Sequence, residues 1–288
     1  MKWILAVVDY WPAAERVLER ARRIAEALGG QLFLFCPVAS ELEELNRYIG
    51  FDNFDALKDQ LLAEHEARLA ALPGAEGIER AVEWAPAPYR AVERRVRELG
   101  AVLVVMARSE HHALGDFLHR PDDWHLLRDA PCPILLLDRA ARECRAVVAA
   151  VDALDEEHVA LNGRILDEAQ ILAQTLSLPL RVVSVVPDPL FAIPGFRVLD
   201  GELVARFRQR SLEVARERQS RLLERLGVAP AAQAVVVGRV VEVLEQEAEA
   251  HGLLAIGTLA RRGLSGLFVG NTAERLLGHV AGDLLVVN

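Results

Sequence analysis

The chain is written twice, and that constrains its fold more than any other feature. An apolar run, Ile4-Leu5-Ala6-Val7-Val8, stops at Asp9, and a second, Ala146-Val147-Val148-Ala149-Ala150-Val151, stops at Asp152. Each run reads as a buried strand. Helical periodicity follows in both places, over 13–28 (Val17, Leu18, Ala21, Ile24, Ala25, Leu28) and over about 157–176 (Leu161, Ile165, Leu166, Ala169, Leu172, Ala173, Leu176). A second strand then closes on proline, QLFLFCP at 31–37 and LRVVSVVP at 180–187. The order continues with a helix (54–72; 201–226), a strand (78–84; 232–237), a helix (88–99; 240–250) and a fourth strand, AVLVVMA at 101–107 and GLLAIG at 252–257. From there the halves align without a gap at an offset of 150, so that Leu126-Leu127 matches Leu276-Leu277. Each repeat is long enough to fold by itself, which predicts two domains, 1–140 and 141–288, joined in the polar stretch DRAARECR.

Strands alternating with helices imply a parallel sheet covered on both faces, and near-continuous Val/Ile/Leu strands agree with it. Such open sheets hold ligands at the carboxyl ends of strands, where the strand order reverses. Asp152 and Gly257 end the first and fourth strands of the second copy, so the loop that follows, GTLARRGLSGLFVGNTAE at 257–274, is expected over that crevice. Gly257 would let the chain turn sharply out of the strand, and Gly270 would let it approach a ligand closely as a helix begins at Asn271. Free amides at a helix start bind phosphate without lysine, and Asn271 or Thr272 would cap that helix or touch a phosphate oxygen. Arg261 is the nearest candidate cation, while Asp152 is placed for a base or ribose. The alternative is that these glycines only turn the chain.

Composition narrows the partners. A net charge of −9 argues against a general nucleic-acid binder. No stretch approaches the roughly 18 apolar residues of a membrane helix, and Asp9 interrupts the opening run too early for a signal peptide, so the cytoplasm is the expected location. Cys36, Cys132 and Cys144 form no CxxC and read as small buried hydrophobes. The only lysines are Lys2 and Lys58, which excludes a Walker-type GK[ST] loop in the second half, and no GxGxxG follows a strand.

The second half resembles the universal stress protein domain, whose nucleotide-binding members carry G-x2-G-x9-G-[ST] after the fourth strand. Here the matching positions are Gly257, Ala260, Gly270 and Asn271. The phrases GNTAE at 270–274 and DWHLLR at 123–128 resemble the tandem-domain, E-type members, and the likeness spans both halves. It implies two tandem five-stranded sheets of order 3-2-1-4-5, of the adenine-nucleotide alpha-hydrolase type, docked as an internal pseudo-dimer. It also implies a stress-response function and an ATP site, with or without magnesium, lined by Ala150, Val151, Asp152, Val186, Ile256, Gly257, Thr258, Ala260, Arg261, Gly270, Asn271, Thr272 and Ala273. Two departures stand out. Ala260 replaces the second glycine and adds a methyl where phosphates approach, and Asn271 replaces the hydroxyl residue, although Thr272 follows it directly.

In the first copy the motif positions become Ala107, Glu110, Arg120 and Pro121. Glu110 would repel phosphates and Pro121 lacks an amide, so no ATP is expected there despite Asp9. His111, His112 and His119, with His125 further on, invite a zinc reading. No CxxC or HExxH spacing supports it, and solvated or helix-end histidines are expected instead. Trp84 and Trp124 are expected to fill space near the vacated crevice, and residues 186–200 form either a lid or a packed loop.

No Ser/His/Asp set, HIGH, KMSKS or SGGxDS pattern points to catalysis. The leading expectation is therefore a non-catalytic ATP-binding stress protein with a protein partner still to be named. A nucleotide-free scaffold or small-molecule binder and a slow ATPase are the alternatives. The apolar strands closing each copy, PILLLD at 133–138 and LLVVN at 284–288, are edges that invite pairing, within the chain or in a homodimer.

Overall fold

The computed structural model describes residues 1–38, 42–50, 52–108, 126–127, 130–188, 201–258 and 271–288. The chain forms two compact units, Met1–Arg139 and Ala140–Asn288. In the first unit the elements are β1 (Trp3–Val7), α1 (Ala14–Ala27), β2 (Gln31–Val38), α2 (Leu42–Ile49), α3 (Phe54–Ala70), β3 (Glu79–Trp84), α4 (Pro88–Leu99), β4 (Ala101–Ala107) and β5 (Ile134–Leu137). All strand pairs are parallel, and the order is β3-β2-β1-β4-β5. Ile4, Leu5, Ala6 and Val7 are each buried, so successive residues pointing to opposite faces of β1 all meet helices. On α1 the buried residues Val17, Leu18, Ala21, Ile24 and Ala25 form one stripe at helical spacing.

The second unit repeats this plan with β6 (Ala146–Ala150), α5 (Val159–Leu176), β7 (Leu180–Pro187), α6 (Gly201–Leu226), β8 (Ala232–Gly238), α7 (Val240–His251), β9 (Gly252–Gly257), α8 (Asn271–His279) and β10 (Asp283–Val287). Its order, β10-β9-β6-β7-β8, is again wholly parallel and equals 3-2-1-4-5 read from the far edge. Leu126, Leu127, Leu276 and Leu277, matched by the 150-residue offset, are all buried. Cys36 and Cys132 are buried, as expected of small hydrophobes, whereas Cys144 is half-buried, its Sγ 3.6 Å from the Gly252 carbonyl and from Asp283 Oδ2. Trp84 packs edge-on against Phe54 under Lys58. Trp124 and the 189–200 stretch lie outside the described residues.

One element was not anticipated. α2 occupies a stretch read without any element, and Tyr48 and Ile49 at its end are exposed.

The repeat also carries a local difference with an expected effect. Helices α1 and α5 end in the same way, Gly30 and Leu178 each donating an amide back to Ala25 and Ala173 at 2.8 Å. The left-handed residue before each is Gly29 in the first unit but Ser177, at φ 56°, in the second. Serine pays a steric penalty there that glycine avoids. Ser177→Gly is therefore expected to stabilise the protein by about 0.5–1 kcal/mol, since glycine's greater unfolded-chain entropy offsets part of the gain. Urea midpoints of the two proteins would show it.

Candidate functional site

In the second unit β6 lies between β7 and β9, so the chain runs off in opposite directions from the β6/β9 junction. Ala149 pairs with Ala255, which sets the ends of these two strands at one level. Val151 continues β6 and donates its amide to Val183 at 2.9 Å. Val151, Val186 and Ile256 are buried apolar residues at the strand ends, Ala150 is half-buried, and Asp152 stands exposed beyond them. α8 begins at Asn271, as the loop reading required, with Thr272 half-buried and Ala273 buried. The structure thus brings together Ala150, Val151, Asp152, Ile256, Gly257 and Thr258. Ala260, Arg261 and Gly270 lie outside the described residues, as do His111, His112 and His119.

Three residues have local contacts that the sequence did not show. Gly257 is not at a left-handed turn. A methyl there would instead sit 2.7–2.8 Å from Leu161 and Ile165 of α5, so the glycine admits a helix against the strand end. Thr258 is buried, its hydroxyl donated to the Asn288 side chain and its amide to the Val287 carbonyl at 2.8 Å. Asp152 is already engaged. Its Oδ1 accepts from the amides of Leu154 (3.1 Å) and Asp155 (3.3 Å), and its Oδ2 lies 3.1 Å from His158 Nδ1.

What holds Asp152 in place is a residue the sequence did not single out. Asn162, only 2% exposed, accepts the Asp152 amide on Oδ1 at 3.0 Å and donates Nδ2 to the Asp152 carbonyl at 2.7 Å. It holds both main-chain polar groups of Asp152, and so the two peptide units that flank its Cα. The available signal was an asparagine inside the buried stripe of α5, between Leu161 and Ile165, since a buried amide must find partners. Asp155 and His158 were also missed. With Asp152 they place three ligand-type atoms within 4.8 Å of one another, the one such grouping among the described residues.

The first unit treats the same position differently. Arg108, at the offset from Thr258, donates its amide to Leu137 at 3.0 Å, and its guanidinium pairs with the buried Asp138 at 2.7 Å where the second unit pairs Thr258 with Asn288. Arg139 Nε donates to the Arg108 carbonyl, its guanidinium lies 4.4 Å from the Tyr10 ring centroid, and Arg16 donates to the Arg139 carbonyl at 2.8 Å. Arginine and tyrosine side chains therefore occupy the strand ends next to Asp9. Beside them, Trp11 stacks on His65 and carries Arg68 at 4.1 Å.

Cys36, at the end of β2, is pushed up to about 12 by burial, with the Asp9 carboxylate adding to the effect. The folded thiol keeps its proton where the unfolded one has lost it, so its contribution favours unfolding as pH rises from about 9 to about 12. Each pH unit in that window is worth about 1.4 kcal/mol of stability. Cys36→Ala is expected to flatten this alkaline loss, which urea unfolding at pH 9 and pH 10.5 would measure.

Comparisons with known proteins agree on one group. The model of the universal stress protein family matches residues 1–138 and again 143–288. Universal stress protein E of Escherichia coli K12 is 26% identical over 306 residues, covering 99% of this chain and 93% of that one. The protein of the same name from Photorhabdus laumondii is 26% identical over 305 residues, covering 99% and 94%. Among solved structures, a functionally unknown protein from Pseudomonas aeruginosa PAO1 is similar with a TM-score of 0.68 at 26% identity, covering 100% of this chain and 92% of that one. A universal stress protein from Archaeoglobus fulgidus shares the fold at a TM-score of 0.61 and 15% identity, covering 99% and 98%.

Proposed function

Because the chain belongs to the universal stress protein family, we propose that its second unit binds ATP, with or without magnesium, as a non-catalytic regulatory ligand in a cytoplasmic stress response. The observation that carries this reading is the asymmetry between the two sets of strand ends. In the second unit the β6/β9 junction is bordered by small or apolar residues, Ala150, Val151, Ile256 and Gly257, and a helix starts at Asn271 beyond the loop. Helix amides there favour an anion, and the apolar strand ends suit a base. In the first unit the equivalent place holds Arg108, Asp138, Arg139 and Tyr10. The proposal assigns no catalytic residue, and hydrolysis is not part of it.

Calorimetric titration of ATP into the whole protein tests it. Saturable binding at one site is expected, and Gly270→Glu should weaken it about tenfold or more, because two charges at 4 Å repel by about 1 kcal/mol in water and by several times that where water is partly excluded. A wild-type protein that takes up no ATP would overturn the reading. A second reading, a nucleotide-free scaffold that binds a protein partner, gains weight from Asp152, Gly257 and Thr258, each of which already has a local structural task. An absent ATP signal would favour it.

A further inference from the structure

We propose that Asp152, Asp155 and His158 hold one divalent transition-metal ion of the zinc type, independently of any nucleotide. The spacing D-x-x-D-x-x-H runs from the end of β6 into the one-turn helix Glu156–His158. An imidazole nitrogen sits between two carboxylates: His158 Nδ1 is 3.1 Å from Asp152 Oδ2 and 3.6 Å from Asp155 Oδ2. Bonds of about 2.0–2.2 Å to nitrogen and oxygen put neighbouring ligands roughly 3.0–3.6 Å apart around a tetrahedral or octahedral ion. Both measured edges fall in that range, and all three atoms lie within 4.8 Å of one another.

The two aspartates divide their oxygens alike. Asp152 Oδ1 serves the amides of Leu154 and Asp155, and Asp155 Oδ1 serves the amide of Glu157 at 2.9 Å. In each case Oδ2 is left facing the imidazole. Both carboxylates are thus oriented by the main chain before an ion arrives, and Asn162 fixes the main chain that carries the first of them. Nitrogen beside oxygen selects zinc, cobalt or nickel over calcium and magnesium, which take oxygen sets. For His158 to ligate through Nδ1, its proton must sit on Nε2, so the ion replaces the hydrogen bond to Asp152. The half-exposed position leaves further coordination sites to water. In the first copy Asp9 is followed by Tyr10, Trp11, Pro12 and Ala13, with neither the second aspartate nor the histidine.

Cobalt(II) titrated into the full-length protein without nucleotide tests the site. Visible absorption saturating at one equivalent and displaced by zinc is expected, with His158→Ala weakening uptake about tenfold or more. Asp155→Asn, which keeps the amide cap through its remaining oxygen, should weaken it as well. Thermal unfolding checks that both variants are folded. The proposal is overturned if wild type shows no saturable uptake, or if the folded variants bind as tightly as wild type, which would assign the ion to other histidines such as His111, His112 and His119. Because ATP is absent throughout, failure here leaves the nucleotide reading untouched, and failure of that reading leaves the metal site standing.

Discussion

Gly252→Ala is expected to destabilise the protein by about 3–4 kcal/mol. Gly252 ends α7 in the left-handed region at φ +86° and begins β9. The incoming methyl would meet main chain, lying 2.5 Å from the Glu143 carbonyl oxygen and 2.9 Å from Cys144 Cα. The strand approaching β6 cannot step aside easily, because Arg145 donates its amide to the His251 carbonyl at 2.8 Å and Gly282 closes on Gly252 from another direction. Gly100 is the control. It caps α4 at φ +61° with open space around it, so Gly100→Ala should lose only about 1–2 kcal/mol, the left-handed penalty alone. Urea unfolding of both variants, followed by circular dichroism, separates the clash from the conformational cost; equal midpoints would mean the main-chain contact does not matter.

The second large effect concerns Asn162. Asn162→Leu keeps the volume and removes both hydrogen bonds, leaving the amide and the carbonyl of Asp152 without their partner on the helix side. Buried groups deprived of partners cost about 1–3 kcal/mol each, and Asp152 is open to water on its other side, so the loss is expected near the lower end for each. The sum is about 2–3 kcal/mol, or roughly 5–10 °C in melting temperature for a unit of this size. Calorimetric melting would show it. Loss of the clamp should also weaken cobalt uptake, because the Asp152 carboxylate is then no longer held toward His158.

Much of the architecture was readable in the sequence, for identifiable reasons. Helix 88–99 was read with its observed ends because Pro88 starts it and Gly100 stops it. The buried strands 101–107 and 252–257 show unbroken apolar runs, and α6 was read over 201–226. α2 was missed, its stretch having been read without any element, and its final residues Tyr48 and Ile49 are exposed. At the candidate site the residue positions were readable but their tasks were not. Gly257 was read as a turn out of the strand, and its closeness to Leu161 and Ile165, about a hundred residues earlier on another element, was not readable. Thr258 was read as lining the site, and its hydroxyl contact with Asn288, thirty residues later in the chain, was not readable. The D-x-x-D-x-x-H spacing was visible, but only the fold shows that both aspartates spend one oxygen on the main chain and keep the other for the imidazole.

The turn after β6 has one more attachment. Arg218, on α6, donates to the Leu154 carbonyl, inside the same turn that carries Asp152 and Asp155. α6 is 26 residues long, about 39 Å of helix. Whatever draws Leu154 aside must either break that contact or pull on the helix, so a chemical event at a strand end acquires a lever arm reaching across the face of its own unit.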